Sequence, residues 1–355
     1  MSLQFSSDLK KPFYLERAEG PLFTVGGAAL DIYIQCPIWS LEQDVKSYLV
    51  FEEGVKVDVT NLRYSVGGGA ANTAYVLARL GMPVSTFFKT GMDYAADFIR
   101  QNLVQKGIDI SHAVSDRDVF TGTSFILPSS SGNHTILVCR GSNAQVRECD
   151  LPLDEFKKSK GVYIAPLAGN FMSHLPLISE AVHEAGGLVM HNPSRAGVTE
   201  LSGLLFRSIR FIDVLMLNYS EVEELSVNFR KKRKGFWLKH VCERIASSGP
   251  RVVLVTDGAK GVYCFSEKRL WYYRGVPESG SRPVCRTVGA GDAFGATFFG
   301  ALLMGKSVHE ALVFASINSL ATISQLEPHG GLFTMHELND QMKALDESAR
   351  QVVEI

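Results

Sequence analysis

The run CRTVGAGDAFGATFFGALL, Cys285–Leu303, sets one carboxylate, Asp292, where a turn of small residues meets an apolar, helix-like stretch. Residues Thr287–Gly291 are small enough for a tight turn whose backbone N–H groups face outward. The start of the following helix adds about half a positive charge. Turn and helix start together make an anion site. An acid placed there has two compatible readings. Asp is a favoured N-cap and first-turn residue; it is also the general base that phosphoryl transfer to a hydroxyl needs beside its anion.

A second cluster lies far upstream. SVGGGAANTAYVLARLG, Ser65–Gly81, puts Gly67–Gly69 before a helical pattern with Asn72 in its first turn. Three glycines let a ligand approach the backbone closely, and Asn72 offers a donor and an acceptor to a polyol hydroxyl. A plain helix-start loop would look the same. Asp31 follows VGGAAL at the end of the first strand-like run. Ligands of a parallel sheet bind outside the carboxyl ends of its strands, so Asp31 is placed to accept hydroxyl hydrogen bonds, or is simply a loop acid.

These residues need a frame. Apolar strand-like runs at Leu22–Val25, Val84–Phe88, Val162–Ile164, Leu188–Met190, Val214–Leu217 and Val252–Val255 alternate with helical spacing at Ala70–Leu80, Ala95–Lys106 and His174–His183. The alternation predicts an α/β fold with a mostly parallel sheet covered on both faces. One region breaks the pattern. TGTSFILPSSSGNHTILVCRG places two apolar runs around the turn-rich Ser129–Asn133, which predicts a β-hairpin. It is either an edge addition or a flap over a site, with Asp31–Ile38 and Tyr64–Val66 as candidate partner strands. No internal repeat or low-complexity linker divides the chain.

Composition excludes several classes. The 355 residues are 46% hydrophobic, enough for a large core, and the formal charge is −1, which gives no global field for nucleic acid or an acidic membrane. Six scattered cysteines without a CxxC pair read as free thiols in a reducing compartment. The polar N-terminus has no apolar signal core and no long apolar run marks a membrane span, so a soluble cytoplasmic protein is expected. The basic run RKKRKGFWLKH, Arg230–His240, reads as a solvated surface segment, and His191 and Cys285 as structural residues.

The pair GGGAAN early and TVGAGDAFGATFFGAL late resembles the ribokinase-like, or PfkB, family of carbohydrate and nucleoside kinases. LNYSEVEEL, Leu217–Leu225, is similar to the family's Asn-x-x-Glu segment, and VTDGAKGVY, Val255–Tyr263, to its nucleotide-side strand and turn. The resemblance spans roughly Leu22 to Leu332. It implies one ribokinase-like domain over residues 1–355, a central, mostly parallel sheet flanked by helices, and a small β-sheet lid from about 31–66 and 112–141. It implies transfer of the γ-phosphate of magnesium-ATP to an alcohol. Carried over by position, Asp292 deprotonates the acceptor and Gly289, Ala290 and Gly291 form the anion hole. Asp31, Gly68 and Asn72 hold the acceptor. Asn218 and Glu221 organise Mg2+ (Glu221 through water) and the phosphates, while Thr256 and Gly258 line the nucleotide site. Arg286 stands where the family usually has an Asp that helps bind a monovalent cation, so K+ is not carried over.

Two other classes compete. A dinucleotide-dependent dehydrogenase would place G-x-G-x-x-G after the first strand, and VGGAALD lacks that spacing. A P-loop is absent as well. A non-catalytic binding or regulatory protein on the same fold is the other alternative, which Asp292 disfavours. A sugar is the expected acceptor. A nucleoside is the alternative, because the long Asp31–Gly67 excursion is similar to that of the adenosine-kinase branch. A homodimer through the lid edge is a further expectation.

Overall fold

The computed structural model describes residues 9, 11, 13, 19–36, 39–43, 46–129, 134–199, 202–227, 237–276, 289–324 and 330–355. Arg286 and Cys285, most of the Arg230–His240 run and most of the Ser129–Asn133 turn lie outside them.

Six short apolar segments become the parallel part of a nine-stranded sheet: in spatial order Ser85–Phe87, Leu22–Val25, Gly161–Ile164, Leu188–His191, Val214–Asn218 and Val252–Thr256. They form strands because both sheet faces are covered, so nearly every side chain along them is buried. Three antiparallel strands that sequence reading missed complete the sheet: Val262–Ser266, Arg269–Tyr273 and Val352–Glu354. Helical spacing also holds, as Gly69–Arg79, Tyr94–Gln105 and Leu175–His183. The core divides into two apolar clusters, one per sheet face.

The expected hairpin is present, as strands Gly122–Pro128 and His134–Cys139. It is not an addition to the edge of the main sheet. It joins a separate four-stranded sheet with Ala29–Gln35 and Asn61–Gly67, and the neighbouring Trp39–Gln43 and Lys46–Val50 form a two-stranded hairpin inside the Asp31–Gly67 excursion. Cross-strand register sorts the small sheet into two faces. Asp31 lies between Ser65 and Ser124 on one; Ile32 lies between Tyr64 and Phe125, with Leu137 beyond, on the other. Tyr64, Phe125 and Leu137 are exposed.

A helix that is apolar all round must be buried, and Ala290–Leu303 is: it packs against the Gly69–Arg79 and Val308–Ile323 helices and over strand Gly161–Ile164. That packing brings the two glycine clusters of the sequence together.

One buried charge supports the same region. The Lys89 ammonium is 1% exposed and lies 2.9 Å from Asp116 Oδ2 and 3.0 Å from Asp150 Oδ2. It also donates to the Gln145 carbonyl at 3.0 Å, while the Lys89 carbonyl accepts from Ser142 Oγ at 2.8 Å. Lysine thus anchors the Gly141–Ala144 turn from both its side chain and its backbone.

Candidate active site

The helix carrying Asp292 begins at Ala290, after Gly289 in the left-handed region at φ 86°, and no side chain caps it among the described residues. The first backbone N–H groups of a helix have no partner within the helix. A Cβ at Gly291 would meet nothing within 4 Å among the described residues. Asp292 does not serve as a cap. Its Oδ2 accepts a 2.8 Å hydrogen bond from Asn72 Nδ2, across the boundary between the two glycine motifs. Burial pushes the Asp292 carboxyl up to about 6, and the Asn72 bond pulls against that rise. An acid poised near neutrality beside uncapped amides is suited to take a proton.

The Gly67–Asn72 segment connects this base to Asp31. A Cβ on Gly67 would fall 2.0 Å from Asp31 Oδ2, so only glycine lets the strand pass the carboxylate. Gly68, at φ 90°, abuts the Gly27 carbonyl, where a Cβ would sit 2.5 Å away. Asp31 is 7% exposed. Just before it, the Asn143 side chain accepts from Ala28 N at 3.1 Å and donates to the Ala28 carbonyl at 2.8 Å, imitating a rung of a β-ladder. Asn143 thus fixes the strand entry that aims Asp31, and the Lys89 cluster holds the turn that carries Asn143.

The remaining expected residues gather at the carboxyl ends of the middle strands. Asn218 and Thr256 end adjacent strands and are register partners. Asn218 Oδ1 accepts from Glu221 N at 2.9 Å and Glu221 Oε2 accepts from Asn218 N at 2.8 Å, a reciprocal cap on helix Tyr219–Val227. Burial, with a smaller contribution from Glu224, pushes the Glu221 carboxyl up to about 7. Gly258, at φ 54°, faces open space. His191 is a buried structural histidine, as expected: its Nδ1 donates to the Ile164 carbonyl at 2.9 Å, and burial lowers its pKa to about 4.

Residues 36–329 match the model of the pfkB family carbohydrate kinases. The chain belongs to the pfkB family of carbohydrate kinases. It is 25% identical over 265 residues to a nucleoside kinase of Methanothermobacter thermautotrophicus, covering 75% of this chain and 80% of that protein. It is 26% identical over 278 residues to a ribokinase of Haemophilus influenzae, covering 78% and 87%. Among solved structures, Arabidopsis thaliana ribokinase complexed with ribose and ATP superposes with a TM-score of 0.76, at 22% identity over 92% of this chain and 99% of that one. A Methanocaldococcus jannaschii nucleoside kinase gives 0.71, at 19% identity over 92% and 100%. The pfkB kinases are phosphotransferases with an alcohol acceptor, and the ribokinase-like fold expected from the sequence is the one observed.

In this pfkB kinase, sequence reading missed Asn143 and the Asn72–Asp292 bond, which joins residues 220 positions apart. It also missed Gly295. A Cβ there would meet Tyr163 Oη at 2.3 Å and Met216 Cε at 3.0 Å. Gly295→Ala is therefore expected to destabilise the fold by about 1–3 kcal/mol through overpacking, and Tyr163→Phe, which deletes the clashing oxygen, to restore much of that loss. Equilibrium denaturation of both single variants and the double variant checks this; additive losses would refute the clash.

Proposed function

We propose that this pfkB kinase transfers the γ-phosphate of ATP, with Mg2+, to a hydroxyl of a small sugar, with Asp292 as general base. The observation that carries the reading is the Asp292 carboxylate, held by Asn72 in the first turn of a helix that no side chain caps among the described residues. Asp292 takes the acceptor proton as the acceptor oxygen bonds to phosphorus and the bond from phosphorus to the ADP oxygen breaks. The N–H groups of Gly289, Ala290 and Gly291 face the anionic oxygens. Asp31, Gly68 and Asn72 line the acceptor side, and Thr256 and Gly258 the nucleotide side. Transfer needs alignment and charge stabilisation more than covalent chemistry. We read the small sheet, from about 31–66 and 112–141, as a lid on a single domain whose closure excludes water.

Mg2+ fits the residues present. Glu221 is 5% exposed, one of its oxygens is held by Asn218, and no described cation pairs with it. A buried carboxylate of this kind suits a hydrated hard cation, which would be held by Glu221 through water near Asn218 and would supply charge neutralisation to the phosphates. A nucleoside is the second reading, favoured by the likeness to a nucleoside kinase. The exposed apolar face of the small sheet favours a homodimer through this sheet.

The deciding assay measures ADP release from ATP against a panel of pentoses, hexoses, keto-acids and nucleosides. Acceptor-dependent ADP identifies the class. A folded chain that binds a panel member without releasing ADP would make it a binding protein on the kinase fold. In the same assay, activity is expected to be nearly independent of potassium, because Arg286 puts a fixed cation where the family usually has an Asp. Potassium chloride titrated against choline chloride at matched ionic strength checks this; a saturable potassium-specific activation would overturn it.

A further inference from the structure

The face of the small sheet that carries Asp31 holds a charge that the proposed transfer does not use. Cross-strand register sets three rows of that face in order. Ala29 lies between Gly67 and Gly122, Asp31 between Ser65 and Ser124, and Tyr33 between Arg63 and Ile126. The Asp31 carboxylate leans back over Gly67, where a Cβ would fall 2.0 Å from its Oδ2. Gly67 leads through Gly68 to Asn72, which is bonded to Asp292. Arg63 lies on the other side of Asp31, two residues along the strand from Ser65, a step of about 7 Å. The face thus leads from the proposed base, past the carboxylate expected to take acceptor hydroxyls, to a guanidinium one hexose length further on.

The placing of charge on this sheet is selective. Asp31 is the only acid in its four strands, and Arg63 the only arginine or lysine. Both stand on the same face, while the reverse face carries Tyr64, Phe125 and Leu137. Arg63 is half-buried and makes no hydrogen bond, ion pair or ring contact among the described residues. A guanidinium offers a rigid fork of donors that matches a carboxylate or a phosphate. A neutral sugar would leave that charge unanswered, and a nucleobase brings no fixed negative charge to it. Electrostatics favours the same end of the face. The incoming γ-phosphate is anionic, so a second anion on the acceptor is tolerated best far from the reacting hydroxyl, which is where Arg63 lies.

We propose that Arg63 determines acceptor specificity and that the acceptor is an anionic sugar, a sugar acid or a sugar phosphate. Its carboxylate or phosphate pairs with Arg63, its middle hydroxyls bond to Asp31, and its reacting hydroxyl points to Asp292. The inference rests on the reading of this face as the acceptor side and narrows the small sugar of that reading to a charged one.

The test compares the unmodified chain with Arg63→Met and Arg63→Lys in two assays, thermal shift and ADP release from ATP. One arm sets D-gluconate against D-glucose, and the other sets the monophosphates of D-fructose against D-fructose. In one arm the anion is expected to raise Tm and release ADP well below the concentration at which its neutral parent does, and that arm identifies the anionic group. Arg63→Met should raise the KM of that anion about 10–100-fold with kcat little changed, the pattern of lost uniform binding, and Arg63→Lys should recover part of the loss. Three results would overturn the proposal: no thermal shift from any anion, a neutral sugar or nucleoside serving as well as the anions, or an anion KM unchanged in folded Arg63→Met. The kinase reading fails separately. Arg63-dependent anion binding without ADP release would uphold the anion site and remove the phosphoryl transfer, whereas ADP release from a neutral sugar, indifferent to Arg63, would do the reverse.

Discussion

Asp292→Asn is expected to turn over about 10²–10⁴-fold more slowly while ATP binding changes little. Asparagine keeps the shape of the side chain, and its carbonyl can still accept from Asn72 Nδ2, so the helix start is preserved. Only proton acceptance is lost. The same substitution has a second, opposite signature. Burial holds the Asp292 carboxyl at about 6, above the ordinary aspartate value of 3.8, so the fold disfavours the ionised form. The sign follows from linkage: stability is full at low pH, where the acid is protonated in both states, and declines as pH rises from the unfolded value through about 6. Asp292→Asn removes that decline. The variant should be the more stable protein at pH 8 and lose the acid limb near pH 6 from any residual turnover. Near-normal turnover in folded Asp292→Asn, measured with the acceptor that the panel identifies, would end the assignment.

Lys89→Ala should cost about 3–5 kcal/mol of folding stability, the usual loss when one partner of a buried ion pair is removed. The ammonium is 1% exposed between two acids, and Asp150 is itself 5% exposed. Burial pushes the Asp150 carboxyl up, but bonds from Arg147 and Lys89 hold it below its ordinary value. Its contribution is therefore present above the unfolded pKa and disappears as pH falls through the lower folded one. Without Lys89 the Gly141–Ala144 turn loses its side-chain anchor, and with it the Asn143 clamp on Ala28. The acceptor KM should rise along with the loss of stability, because Asp31 is aimed by that clamp. Urea denaturation and acceptor titration test the two effects separately. A loss below 1 kcal/mol would show that the cluster is held by packing rather than charge.

The parallel strands were legible because burial on both faces writes each as an unbroken apolar run. The antiparallel extension was not. Val262–Ser266 and Arg269–Tyr273 join through Glu267 and Lys268, both at positive φ, 52° and 62°. That conformation is usually marked by Asn-Gly or Gly, and here two charged residues occupy it without the signal. Val352–Glu354 is three residues long, too short for periodicity to register. The same contrast runs through the site. Asp292, its glycine turn and Asn72 stood out because their residue types carry chemistry locally. The Asn72–Asp292 bond depends on how two helices pack, which no spacing in the chain encodes. The Tyr163–Gly295 fit left a fainter mark: a phenol inside an otherwise apolar strand, and one of the three glycines of the Ala290–Leu303 helix.

The outer row of the small sheet would, in the proposed dimer, tie catalysis to concentration. Leu137, Phe125 and Tyr64 are 55%, 38% and 45% exposed, and they lie on the reverse of the face that carries Asp31. In the dimer proposed above, covering that row would stiffen the wall of the proposed acceptor pocket. Specific activity would then obey mass action: it climbs as the protein is concentrated, and it decays after dilution with a lag set by dissociation rather than by chemistry. An assay run at nanomolar enzyme and one run at micromolar enzyme would be measuring two different molecules.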